Sequence, residues 1–220
     1  MNRTALTGFA IAAALAACGG SQSSSDTAGK PQLQPEPPPT APPPEPQVPF
    51  EALVFSKADI PPTLDIPGTV LGGIRWKDVD GDHRIVLSEE RTDSSLHLVA
   101  RRITADGTSR ELARDSAEDC EFDLVTSHFP GSYTAKDIDG DQRGEAAFAW
   151  ALSCTSDVSP LDMYLYVVDG DQVYRATGHS RVQVGADQFA GGEMQADSIA
   201  GAPDAVKSHA DTLWKQLNLP

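Results

Sequence analysis

Ile74-Arg75-Trp76-Lys77-Asp78-Val79-Asp80-Gly81-Asp82 returns 59 residues later as Tyr133-Thr134-Ala135-Lys136-Asp137-Ile138-Asp139-Gly140-Asp141. Each copy reads as a strand running into an acidic glycine turn, followed by an apolar strand, a loop, a longer strand and a second acidic turn, Asp106-Gly107 in one and Asp169-Gly170 in the other. Similar meanders set side by side are the logic of propellers and solenoids. Two copies cannot close a propeller, which takes at least four blades. The expected fold is therefore mainly β: two antiparallel meander repeats packed sandwich-like, half-propeller-like in organisation, with one helix at the C-terminus.

The alternation of side chains supports this reading. Leu96, Leu98 and Ala100 alternate with His97, Val99 and Arg101, and Asp162 to Val168 is a β-rich run stopped by Asp169-Gly170. Further strands are expected at Val70 to Trp76, Arg84 to Ser88, Cys120 to Val125, Tyr133 to Lys136, Ala146 to Ala151 and Gln172 to Ala176. Val206, Ala210, Leu213, Trp214 and Leu217 fall on one helical stripe that starts after Pro203, so the helix packs on an exposed edge or face of the sheets. Trp76 shares a strand face with Ile74, and Trp150 with Phe148, which points both indoles into the core.

The first 49 residues are different in kind. One Arg and then an apolar stretch make residues 1–17 a signal peptide, too short to cross a bilayer as a permanent helix. Ten of the 17 prolines lie between Pro31 and Pro49, after a Gly/Ser-rich stretch, and this composition predicts a tether over residues 18–49, flexible and then extended. The polyproline II part would reach roughly 60 Å at ~3.1 Å per residue. What remains, residues 50–220, is expected to be a single mostly-β domain.

The chain carries 17 Lys and Arg against 32 Asp and Glu, a formal charge of -15. That balance argues against a grip on nucleic acid or anionic headgroups and favours cations, neutral surfaces or basic partners. Leu15-Ala16-Ala17-Cys18 ends the signal, and it resembles the lipobox of bacterial lipoproteins. The resemblance implies cleavage before Cys18, acylation of that cysteine and a membrane partnership through the N-terminal lipid. Gly19 in place of Asp, by the same resemblance, implies the outer membrane. With Cys18 acylated, Cys120 and Cys154 are an even pair in an oxidising compartment, and a disulfide between them is expected.

The acidic turns carry the chemistry. Asp137, Asp139, Asp141 and Glu145 occupy positions 1, 3, 5 and 9 of a glycine-containing loop, and carboxylates this close repel unless a cation or proton intervenes. Oxygen donors of this kind suit Ca²⁺, with the carbonyl of Arg143 as a further ligand. The loop is not an EF-hand, since glycine stands at position 4, Phe148 at position 12, and strands flank it. It is similar to the Asp-rich turns of FG-GAP and VCBS-type repeats over about ten residues per copy. In the first copy Val86 takes position 9 and Glu89 position 12, so Asp78, Asp80 and Asp82 form a less complete set.

Four segments in order, Gly73 to Asp78, Asp119-Cys120-Glu121-Phe122-Asp123, Asp137 to Asp141 and Cys154-Thr155-Ser156-Asp157-Val158-Ser159-Pro160, resemble a family of bacterial surface lipoproteins named for an association with surface-polysaccharide biosynthesis. The resemblance spans residues 69–180 and implies an envelope protein; it implies no reaction. His83, His97, His128, His179 and His209 are scattered, and neither a His-x-Glu-x-x-His run nor a Gly-x-Ser-x-Gly elbow occurs. Two functions follow as expectations. One is a non-catalytic, lipid-anchored cell-envelope accessory for binding or assembly, partnered with surface glycan or an envelope protein. The other is an envelope hydrolase acting on glycan, with its site assembled from distant residues.

Overall fold

The computed structural model describes residues 50–60, 64–104, 107–195 and 198–219. The expected signal peptide, Cys18, the tether and Asp106 lie outside the described residues. Among the described residues, with short 3-10 turns at Lys57–Asp59 and Pro130–Ser132, twelve strands and one α-helix follow in order. They are β1 (Glu51–Phe55), β2 (Thr69–Asp78), β3 (Gly81–Arg91), β4 (Leu96–Ile103), β5 (Ser109–Ala117), β6 (Asp123–His128), β7 (Thr134–Lys136), β8 (Glu145–Thr155), β9 (Asp162–Asp169), β10 (Gln172–His179), β11 (Val182–Gly185), β12 (Gln188–Ala190) and α1 (Asp204–Leu217).

The strands of the first sequence copy, β2 to β5, form with β1 one antiparallel sheet in the order β1-β2-β3-β4-β5, and those of the second copy, β7 to β10, form with β6 another, β10-β9-β8-β6, with β7 also paired to β8. The two sheets share one core, in which Ile74, Trp76, Ile85, Leu87, Leu96 and Leu98 of the first meet Tyr133, Phe148, Trp150, Leu152, Tyr166 and Val168 of the second. This is the expected sandwich-like arrangement; a propeller is not seen.

Strand β8 shows how sequence dictates the layering. Side chains alternate across a strand, so Phe148, Trp150 and Leu152 point between the sheets while Ala147, Ala149 and Ala151 point the other way. Three alanines leave a shallow surface on which α1 lies closely, burying Val206, Ala210, Leu213 and Trp214 against them and against Met163, Leu165 and Val167. The helix thus covers a face of the second sheet, and the chain is a three-layered stack of sheet, sheet and helix.

Two cross-links hold the layers in register. Cys120 and Cys154 form the expected disulfide, with Cα atoms 5.7 Å apart and a sequence separation of 34. Closing such a loop is worth about 4 kcal/mol in the chain-entropy model. Across the core, the buried Asp115 of β5 accepts from Trp150 Nε1 at 2.7 Å and Tyr166 Oη at 2.6 Å, and from Arg175 at 2.5 Å. Burial, reinforced by that carboxylate, pushes the Tyr166 phenol far above its usual range, so it stays a donor.

Strand β6 begins three residues later than the sequence predicts, because Cys120 is tied to Cys154 and its N–H donates to the Ser94 carbonyl at 2.8 Å. Strands β1 and β5 and the β11-β12 hairpin are additions that the periodicity does not announce. In β5, Ser109-Arg-Glu-Leu-Ala-Arg-Asp-Ser-Ala117, charged residues occupy an edge position and mask the alternation.

Candidate metal centre

The two acidic turns sit against each other, and their neighbouring sequence gives them different shapes. The first copy enters β3 already at Gly81, with Asp78 paired to Gly81 in a tight hairpin. In the second copy residues 137–144 intervene between β7 and β8. Gly140 (φ 88°) and Gln142 (φ 69°) make the reversals this longer loop needs. Gly144 is pressed by the rings of Phe50 and Trp76, where a side chain's first carbon would come within 2.6 Å of both. Its N–H donates to Asp78 Oδ2 at 3.0 Å, and the Val79 N–H donates to the Gln142 carbonyl at 3.4 Å, so the second loop caps the first hairpin.

Asp78 is consequently saturated. Its Oδ2 accepts from Trp76 Nε1 and Gly144, and its Oδ1 accepts from the Asp80 N–H at 2.9 Å and contacts His83 Nε2 at 2.8 Å. Burial pushes this carboxyl up, but the bonds from Gly144, His83 and Asp80 outweigh it and hold the group below its ordinary value. Asp80 is engaged by Arg143 Nε at 2.7 Å. The first turn thus spends its first two acids, Asp78 and Asp80, on structure.

The second turn does not. Asp137 accepts from the Gly140 N–H at 2.7 Å and the Gln142 N–H at 3.0 Å, which fixes the loop. Asp139 accepts from the Asp141 N–H at 3.2 Å. Glu145, the first residue of β8, is 1% exposed; its Oε2 accepts from the Ile138 N–H at 2.7 Å, while its Oε1 is buried with no hydrogen-bond partner. One carboxylate oxygen each from Asp137, Asp139 and Glu145 lie within 4.8 Å of one another, an arrangement that can hold a metal ion. Of the ligands expected from the sequence, Asp141 is not in this group. It accepts instead from the Arg143 N–H at 2.8 Å and pairs with the Arg143 guanidinium at 3.2 Å.

Charges at this spacing repel on the order of 3 kcal/mol per pair at an effective dielectric constant of ~20. Burial, with Asp139, Asp169 and Asp141 adding to it, pushes Glu145 up to about 7 against the opposing bond from Ile138. Asp169 is a member of this electrostatic cluster that the motif spacing does not reveal. Ala146 of β8 pairs with Val168 of β9, so Glu145 and Asp169 are the next residues along on one face. Burial, then Asp139 and Asp141, raise the Asp169 carboxyl too. Its signal in the sequence is the Asp169-Gly170 turn that closes the second meander.

Comparison with protein families, with curated proteins and with solved structures finds no match to the chain.

Proposed function

We propose that the protein is a lipid-anchored component of a bacterial cell envelope, of non-catalytic type, whose sandwich domain is a binding or assembly accessory for surface glycan or an envelope protein and is stabilised by Ca²⁺. The observation that carries the metal is the buried, partnerless Oε1 of Glu145 beside Asp137 and Asp139. Leaving such an oxygen unsatisfied is costly, and a hard cation taking oxygen ligands at ~2.4 Å satisfies it and ends the repulsion. The spacing of the three oxygens, within 4.8 Å, suits ligands on one such ion. A disulfide accords with an exported domain. The same acids make a poor hydrolytic pair, because Glu145 is sealed under the loop and a sugar ring has no route to it.

Two measurements test the reading. Cys18→Ser should move the protein from the membrane to the soluble fraction, and a wild type without acyl mass that still sediments with membranes would contradict the anchor. Equilibrium dialysis against millimolar Ca²⁺ should find one ion per chain, lost in Asp139→Ala; no bound ion at these concentrations removes the metal.

A further inference from the structure

The ends of the two sheets are guarded unequally. At β5 the edge carries Arg110, Glu111, Arg114 and Asp115 and a register shift at Ala100/Arg101. At β10 the segment around Met194 covers the outer part, through the Gly178–Met194 bridge and the bond from the Gln195 N–H to the Thr177 carbonyl. At β6 the side chain of Arg91 caps the Leu124 carbonyl at 3.1 Å. Charges, bulges and covering segments are the usual means of keeping a sheet edge from pairing with another chain.

Among the described residues strand β1 has no bulge and no covering segment, and its one charge, Glu51, stands at its end. Between Glu51 and Phe55 it is Ala52-Leu53-Val54, with unshifted register on β2 and no proline. Leu53 is 43% and Val54 55% exposed. Ten prolines between Pro31 and Pro49 give the sequence before it few of the N–H groups a ladder requires.

The face beside this edge carries unbalanced positive charge. Arg75 lies opposite Leu53 on one side and opposite Arg84 on the other, a like-charge pair that disfavours the sheet. Among the described residues neither guanidinium is hydrogen-bonded or ion-paired. Arg84 rests over the Phe55 ring at 5.8 Å, and Arg75 acts on Asp59 only through space.

We propose that β1 is a self-association edge, at which two copies of this chain pair β1 to β1 antiparallel about a two-fold axis through Leu53, joining two five-stranded sheets into one. In that register Leu53 faces Leu53, Ala52 faces Val54, and Glu51 faces Phe55 of the other copy. The strand's only charge, which lies opposite Lys77 in its own sheet, is then placed beside the Phe55 ring over which Arg84 rests, on the same sheet face as Arg75. The two Glu51 residues stand about 13 Å apart and do not oppose one another. The apolar centre and the ionic flanks are both self-complementary, as a two-fold interface requires.

The test uses a chain from Pro44 to Pro220 with its disulfide formed, which contains the whole compact unit and both cores. An edge contact of this size is of the weak class, so sedimentation equilibrium extends to roughly 0.5 mM. The wild type should dimerise reversibly, Leu53→Lys should be monomeric while still unfolding cooperatively, and Glu51→Arg should raise the dissociation constant about tenfold. Under mild oxidation Leu53→Cys should cross-link, since directly opposed residues lie within disulfide reach, whereas Ala52→Cys and Val54→Cys should not. A monomer throughout, a dimer that survives Leu53→Lys, or equal cross-linking at all three positions overturns the proposal.

Discussion

Lys77-Asp78-Val79-Asp80-Gly81-Asp82 and Lys136-Asp137-Ile138-Asp139-Gly140-Asp141 are nearly the same six residues, and the protein uses them in opposite ways. In the first, the leading carboxylate is folded inward and saturated by the Trp76 indole, His83 and two backbone N–H groups. In the second, the leading carboxylate organises its own loop, and a glutamate eight residues on is buried with a bare oxygen. The motif does not decide between these fates; the residues that follow it do. His83-Arg84-Ile85 extend β3 immediately, while Gln142-Arg143-Gly144 delay β8 and deliver Glu145 beneath the loop. One turn is a hydrogen-bonded keystone, and its repeat is an acidic cradle that could hold a metal ion, resting on it.

The largest expected effect lies on the keystone. Asp78→Ala strands the Trp76 and Gly144 donors in a buried site and should cost about 3–5 kcal/mol. Denaturant unfolding should show the same loss in Ca²⁺ and in chelator, because both Asp78 oxygens are already taken by hydrogen bonds. A loss that appears only with Ca²⁺ would erase the distinction between the turns.

The next effect is a pH dependence peculiar to the cradle. The folded value of Glu145, about 7, stands above its ordinary 4.5, so the metal-free folded chain binds this proton more tightly than the unfolded chain does. The associated stability is fully present below pH ~4.5 and is lost as pH rises through about 7, a change on the order of 3 kcal/mol. Unfolding in chelator should follow that slope, and Glu145→Gln should flatten it. Asp78 has the opposite sign: its contribution is present above its ordinary value and is lost as pH falls through its depressed one. A metal-free domain that gains stability between pH 5 and 8 would break the assignment of Glu145.

The repeat made the sandwich legible because each copy became one sheet, and the Val206 to Leu217 stripe marked α1 because alanines opposite it left room. Strand β1 stayed hidden, since five residues after a proline-rich run offer too short a pattern, and β5 because an edge tolerates charge. Spacing found Asp137, Asp139 and Glu145, which lie within one loop. Asp141 of the same motif pairs with its own neighbour Arg143, and spacing passed over Asp169, which reaches the cluster only through the β8-β9 register. Local sequence carries loop chemistry, and pairing between distant strands supplies the rest.

The smallest expected effect is the most direct test of the cradle. Thermal unfolding at neutral pH should be compared in ~5 mM Ca²⁺ and in chelator, for the wild type and Asp139→Ala. For dissociation constants of ~10⁻⁴ to 10⁻³ M the ion should stabilise the wild type by about 1–2 kcal/mol, a shift of several degrees, and Asp139→Ala should not respond. Equal melting temperatures for the wild type in both conditions, or a Ca²⁺ shift that persists in Asp139→Ala, would contradict the site.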